Sequence, residues 1–258
     1  MRRQDTGSAR KLGWVLAALG LAVIGFLVLR NSSSDEPATV ATTTTAAAVA
    51  STASTSTSAA STTTAEVTRR SLPDAVQQGL VEAEFQALGG ASGDIVELDI
   101  RRLVDVELEI TVPAGLMLQN PAGDEQDLVI AGLEGLMTGS STYEVRTVIR
   151  LNTDELWTYL LKAYCAEAHD ANPSEGGALT MGETAGSDLV AVLETVEEEG
   201  VGSNTALVQA LVWVITDDVS LGDLDAVGYG FGEGQMEVAR NLIEAAGLDP
   251  EDYRLFSG

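Results

Sequence analysis

Cysteine and histidine are almost absent from this chain of 258 residues, which contains one of each, Cys165 and His169. A single cysteine excludes a framework of intramolecular disulfides. The two residues together supply too few ligands for a zinc site. We therefore expect no metal and no cofactor, and a thiol that is inert, joined to another chain or chemically employed.

Basic residues are also scarce. Residues 67–258 carry 9 Lys and Arg against 35 Asp and Glu, and the formal net charge of the whole chain is −25 at pH 7. Nucleic-acid binding needs a basic footprint, so this class of partner is excluded. The acidic surface favours solubility. Calcium binding is an open alternative, although the acids around Asp217 and Asp225 lack the spacing of an EF-hand loop.

Charge is missing altogether from residues 12–29, which form an apolar run of 18 positions. This length is at the lower end of what spans a bilayer as a helix. Positive charges precede the run, so the positive-inside rule predicts a cytoplasmic N-terminus over 1–11 and a single-pass plasma-membrane anchor over 12–30. A cleavable signal peptide is the alternative interpretation.

Beyond the run, residues 31–66 are almost wholly Ser, Thr and Ala. Such a low-complexity tract buries too little apolar surface to fold, and it predicts a disordered stalk. Residues 67–258 then form an acidic extracytoplasmic head. The sequence thus predicts a cell-envelope protein that contacts the lipid bilayer through 12–30.

The head changes its hydrophobic period along the chain. Strands are predicted at 95–102, 104–112, 116–118, 127–131 and 143–151, while 157–165 suits either a strand or a short helix. Helices are predicted at 187–199, 204–216 and 234–246. The expected fold class is α+β: a β-sandwich-like part over about 94–165, then a small α-helical part over about 185–258, behind a single transmembrane helix.

Two short segments suggest a family. The run Tyr164-Cys165-Ala166-Glu167 and the later run Val208-Gln209-Ala210-Leu211-Val212-Trp213 resemble the thioester domains of Gram-positive surface adhesins, which carry a Tyr-Cys element and a Thr-Gln-x-Ala-type element. The resemblance covers roughly residues 95–220. It implies an internal thioester that captures a nucleophile on a surface protein or glycan.

The resemblance also implies residue roles. Cys165 would supply the thiol and Gln209 the acyl group, while Tyr164 and Trp213 would shield the bond from water. The implied function is adhesion by covalent capture in a single turnover, without true catalysis. A thiolate attacking a carboxamide with loss of ammonia is the chemistry required.

Two other interpretations remain open. Gln209 lies on a helical stripe with Thr205 and Trp213, so it and Cys165 suit a non-covalent binding or structural module in which both are packing residues. Cys165 and His169 are four residues apart, and on a helix they would face each other as the nucleophile and base of an exterior cysteine hydrolase.

Overall fold

The computed structural model describes residues 67–121, 123 and 125–257. This part of the chain contains ten strands: β1 (Thr68–Ser71), β2 (Val81–Ala87), β3 (Ser92–Arg102), β4 (Leu108–Thr111), β5 (Leu116–Gln119), β6 (Leu128–Gly139), β7 (Thr142–Val145), β8 (Ile149–Leu151), β9 (Leu156–Cys165) and β10 (Ala178–Thr184).

The helices of the described residues lie mainly in the second half. They are α1 (Leu72–Gln77), α2 (Ser187–Glu198), α3 (Thr205–Asp217), α4 (Leu221–Ala226) and α5 (Glu233–Ala245), with a 3-10 turn at Pro250–Asp252. At each end, α2, α3 and α5 differ from the predicted helices by no more than one residue. At the start of α3, Asn204 caps the helix, since its side chain accepts a hydrogen bond from the Leu207 N–H.

Six strands form a closed barrel. In the order β5-β10-β2-β3-β9-β6 each strand is bonded to the next, and β5 also pairs with β6, so the ring has no free edge. All these pairings are antiparallel. β7 extends the sheet outward from β6. Closure buries the inward-facing side chains of the long strands, as in β3, where Val96, Leu98 and Ile100 have no exposed surface.

A smaller sheet has the order β1-β4-β8. β1 and β4 are parallel, whereas β4 and β8 are antiparallel. Its inward side chains include Leu108, Ile110 and Ile149, which are fully buried. One row across this sheet consists of Arg69, Glu109 and Arg150, which are opposite one another.

The barrel corrects the predicted fold class. The expected α+β arrangement with a β-sandwich-like first part is wrong, because the described part of the chain is mostly β and its larger sheet closes on itself. The strand that closes it, β10, comes after Cys165, where only helices were predicted to follow. Alternating apolar residues predict strands in a sandwich and in a barrel equally well, so the strand patterns gave no information about closure.

The predicted membrane topology is corrected as well. No helix within the described residues is long and apolar enough to cross a bilayer. The predicted anchor at 12–30 and stalk at 31–66 lie outside the described residues. The prediction of a single-pass plasma-membrane protein, with its N-terminus in the cytoplasm and its head outside, is therefore not supported and is not carried further.

Candidate functional site

Cys165 and Gln209 meet in the core, although 44 residues separate them in the sequence. Cys165 is the last residue of β9, and Gln209 lies on the second turn of α3. Neither residue has any exposed surface. The two sequence segments that suggested a thioester therefore come together at one buried point.

The helix α3 brings a carboxamide to this point. Every residue from Leu207 to Val214 is buried, and Gln209 is the one strongly polar side chain in that run. A buried carboxamide needs hydrogen-bond partners. Gln209 finds both in one residue: its Oε1 accepts from the Cys165 N–H at 3.0 Å, and its Nε2 donates to the Cys165 carbonyl at 2.7 Å.

The backbone of Cys165 is held on the strand side too. Its N–H also donates to the Ala91 carbonyl at 3.0 Å, and it pairs with Leu128 in the β6–β9 ladder. The N–H is thus shared between the barrel and Gln209. Because α3, β6 and Ala91 all hold this residue, the position of the Gln209 carboxamide relative to Cys165 is tightly constrained.

The thiol of Cys165 has an apolar environment. Burial, followed by the charge of Glu167, raises its pKa to about 12. The Sγ atom donates a long hydrogen bond of 3.9 Å to Oδ1 of Asn172. The thiol is consequently neutral at ordinary pH, and its visible polar partner is an exposed residue of the loop that follows β9.

Acidic residues gather on the loop side of the thiol. Burial raises the pKa of Glu167 to about 7, and the neighbouring carboxylates of Asp127, Asp217 and Asp170 contribute, although a hydrogen bond from the Asp127 N–H opposes the shift. That bond, to Glu167 Oε2, measures 2.8 Å. A cavity of about 410 Å³ is lined by Glu125, Asp127, Glu167 and Asp170 together with Gln119, Asn120, Pro121, Gly123 and Thr180.

The two predicted shielding residues are buried. Tyr164 has no exposed surface, and Trp213 is 3% exposed, with its ring packed edge-on against Tyr229 at 4.9 Å. Trp213 lies one turn after Gln209 on α3 and therefore on the same helix face. Tyr164 precedes Cys165 on a strand, where consecutive side chains point to opposite faces. Their proposed role at the bond stays a prediction.

His169 has a different environment from the one that a hydrolase requires. β9 ends at Cys165, and the next residues form bends instead of a helix, so the spacing of four does not place the two side chains on one helix face. His169 is exposed, whereas Cys165 is buried. The polar partner of Sγ is Asn172.

Sequence reasoning missed two residues near the thiol. Gln126 is 2% exposed, and its Nε2 donates to the Asp170 carbonyl at 2.8 Å and to Asn172 Oδ1 at 3.4 Å. It thereby holds the loop that contains Asn172. No local pattern distinguishes Gln126 from a surface glutamine, because its partners lie more than 40 residues away.

Acidic side chains here are engaged with the backbone. Asp217 Oδ2 accepts from the Ala168 N–H at 2.6 Å, and Asp218 Oδ1 accepts from the Arg254 N–H at 2.7 Å. Among the residues that the structure describes, no group of three or more His, Cys, Asp and Glu has an arrangement that would hold a metal ion.

A scan against protein-family models found no match, and searches of the curated proteins and of the solved structures found none either.

Proposed function

We propose that this protein captures a nucleophile covalently through an internal thioester between Cys165 and Gln209. One observation carries the proposal: the carboxamide of Gln209 is paired at both ends with the backbone of Cys165, in a site without solvent exposure. The thiol and the carboxamide are the two groups that the reaction joins. Burial also protects a thioester from hydrolysis once it has formed.

Formation of the bond is a condensation. The sulfur of Cys165 attacks Cδ of Gln209, the new S–C bond replaces the C–Nε2 bond, and the thiol proton leaves with the nitrogen as ammonia. Negative charge develops on Oε1 during the attack. The Cys165 N–H, 3.0 Å from this oxygen, is placed to stabilise that charge.

The thiol proton needs an acceptor, because a pKa of about 12 leaves almost no thiolate at neutral pH. Glu167 is two residues away, and its charge acts on the thiol. Its pKa of about 7 suits a group that takes a proton and returns it near neutral pH. We assign Glu167 the transfer of this proton to the departing nitrogen.

In the capture step, the thiol of Cys165 is the leaving group instead of the attacking group. An amine or hydroxyl of the partner attacks Cδ of Gln209, the S–C bond breaks, and the partner's proton passes to Cys165, which leaves as a free thiol. The product is an amide or ester on Gln209. The protein reacts once, so this is covalent binding and not turnover. A surface protein or a glycan supplies such nucleophiles.

The loop after β9 is the approach route for the partner. Asn172 contacts Sγ and is itself exposed, whereas the helix side of Cys165 is closed by the buried residues of α3. The acidic cavity lies on the loop side and includes Glu167.

A second candidate function is a non-covalent binding module in which the same pair only stabilises the fold. The observation that favours it is complete satisfaction of the Gln209 carboxamide, since both of its polar atoms are hydrogen-bonded. In this case the pair connects α3 to β9 and does no chemistry. The two functions differ in whether an added amine becomes covalently attached to Gln209.

The test is incubation of the full-length chain with a biotinylated alkylamine, followed by peptide mass mapping. The proposal predicts one label per chain, on Gln209, and a newly free thiol on Cys165. Cys165→Ala and Gln209→Ala should both remain unlabelled. Labelling that is absent from the wild type, or that persists in Cys165→Ala, would contradict the proposal.

His169→Ala is the matched control for the hydrolase alternative. A thioester requires Cys165 and Gln209 only, so this variant should be labelled to the same extent as the wild type. A hydrolase would need His169 instead, would turn over substrate and would be indifferent to Gln209→Ala. An amine does not label a cysteine nucleophile, so that enzyme would be recognised by hydrolysis of an ester or amide that is lost in His169→Ala and retained in Gln209→Ala. Loss of amine labelling in His169→Ala would contradict a thioester that requires Cys165 and Gln209 only.

A further inference from the structure

A second cavity, of about 460 Å³, lies beside the strands β6, β8 and β9 and is separate from the Cys165 site in its lining. It is lined by Leu136, Val145, Arg146, Thr147, Val148, Arg150, Asn152, Trp157 and Tyr159. None of these described lining residues is Asp or Glu, although residues 67–258 carry 35 of them. The lining therefore combines apolar residues with two arginines, whose guanidinium groups are ion-paired with Glu144 and Glu109 beside the cavity.

The charge balance at the cavity favours an anion. Arg150 shares the carboxylate of Glu109 with Arg69: the Arg69 Nε lies 3.0 Å from Oε1, and the Arg150 Nε lies 3.5 Å from Oε2. One carboxylate thus faces two cations, and a net positive charge remains on this row. Arg146 pairs with Glu144 at 2.8 Å.

Both guanidinium groups remain within reach of a ligand. The side chain of Arg146 is 46% exposed and that of Arg150 is 69% exposed. A guanidinium offers several N–H donors in a planar fork, so an ion pair with one carboxylate leaves donors for another. Carboxylates are the partners that this fork matches best.

The other walls are apolar and rest on a rigid part of the barrel. Tyr159 is 3% exposed, and Leu136 and Trp157 pack against the hydrophobic core. β9, which contains Trp157 and Tyr159, is hydrogen-bonded on both sides, to β3 and β6. A cavity of this size with apolar walls and a few charged donors has the character of a small-molecule site.

We propose that this cavity binds a small carboxylate attached to an apolar ring, with Arg146 and Arg150 holding the carboxylate and the walls at Leu136, Trp157 and Tyr159 holding the ring. The site shares no lining residue with the cavity at Glu167. It is independent of the thioester, and it would exist if Cys165 and Gln209 were packing residues.

The test compares two ligands of nearly equal shape on the full-length wild-type chain. Phenylacetate carries the carboxylate, and phenylacetamide replaces it with an uncharged group. Titrations followed by ligand-observed NMR should give a dissociation constant for phenylacetate that is about tenfold or more lower than that of the amide, because hydrogen bonds to a charged group are the stronger ones. Equal affinities, or no binding of phenylacetate, would overturn the proposal.

Variants then locate the site. Arg146→Gln and Arg150→Gln should each weaken phenylacetate binding several-fold and leave the weak binding of phenylacetamide unchanged. Arg101→Gln is the matched control, since Arg101 is 47% exposed and ion-paired with Glu82 outside this cavity. Weakening by Arg101→Gln equal to that by Arg146→Gln would show that only overall charge matters, and would reject the site.

Discussion

Two buried glutamines hold the two sides of the Cys165 region, and they do so differently. Gln209 projects from a regular helix, has no exposed surface and bonds only to the backbone of Cys165. Gln126 lies in the segment before β6 and is 2% exposed. It holds a loop, through the Asp170 carbonyl and the Asn172 side chain.

The contrast separates two tasks. On the helix side, regular structure fixes a carboxamide at a strand end with the rigidity that a reaction between two protein groups needs. On the loop side, the contacts run to exposed residues and to carboxylates, and the main chain follows bends instead of a ladder. In the proposed function, the helix side would supply the reacting group, and the loop side would supply access and proton transfer.

The largest expected effect comes from Gln209→Ala. It leaves the Cys165 carbonyl without its side-chain partner and opens a cavity in the core, so we expect the free energy of unfolding to fall by about 2–4 kcal/mol. Denaturant unfolding measures the loss. Gln126→Ala is the matched comparison: we expect a loss of about 1–2 kcal/mol, and Gln209 should still be labelled by amines, at a higher rate because the loop loses its side-chain support. Equal losses and equal reactivity would remove the distinction between the two sides.

Cys165→Ala should abolish amine labelling while it changes the stability of the fold only slightly. Both hydrogen bonds of Gln209 go to the backbone of Cys165, so they remain in Cys165→Ala. Relative to wild type with a free thiol and a free carboxamide, the cost is therefore a small cavity of about 1 kcal/mol. Amine labelling should nevertheless disappear. Unfolding measurements and labelling on the same sample check both points. A loss of stability as large as that of Gln209→Ala would contradict the backbone role assigned to the pair.

Glu167, on the loop side, should make the free energy of unfolding depend on pH. Its pKa is raised in the folded protein from an ordinary 4.5 to about 7. Between these values the folded state keeps a proton that the unfolded chain has lost, so this residue's contribution to stability falls as the pH rises through the window. Because the side chain is only partly buried, solvent screening limits the effect to about 1 kcal/mol.

Glu167→Gln removes this titration. Unfolding curves measured between pH 4.5 and 7 should show a flatter dependence than the wild type, and Glu84→Gln, a change at an exposed residue of β2, should leave the dependence as it is. Glu167→Gln should also slow amine labelling, because Glu167 is the residue proposed to move the thiol proton. An unchanged slope would show that Glu167 does not titrate in this window.

The smallest effect on stability is expected for Asn172→Ala. Asn172 is exposed, so the free energy of unfolding should change by less than about 0.5 kcal/mol. The change removes the partner of Sγ on the approach side, and the rate of reaction with methylamine should rise. Asn152→Ala, at another exposed asparagine, should change neither quantity. A rate equal to that of the wild type would show that the approach lies elsewhere.

The sequence predicted the elements of this region better than their assembly. The period of α3 is local, so the helix could be placed, and the segment that ends at Cys165 suits either a strand or a short helix. The closure of the barrel could not be predicted, because β10 pairs with β2 and β5 across long chain separations that leave no local pattern. The loop contacts of Gln126 and Asn172 were missed for the same reason.

The candidate site also depends on contacts that the local sequence does not show. Cys165 and Gln209 stand out in two short segments, yet nothing in the 43 intervening residues requires them to meet. Their proximity depends on α3 packing against the end of β9, which the burial of Leu207 to Val214 drives. The spacing of Cys165 and His169 misled for a related reason, because it points to a site only where the chain is helical.

The intact mass of the untreated full-length chain shows whether the thiol and the carboxamide are joined. A thioester predicts a mass lower than that of the sequence by one ammonia, a gain of one methylamine on treatment, and loss of both features in Cys165→Ala. A wild-type mass equal to that of the sequence, with no gain from methylamine, would contradict the thioester and leave Cys165 and Gln209 as a structural pair.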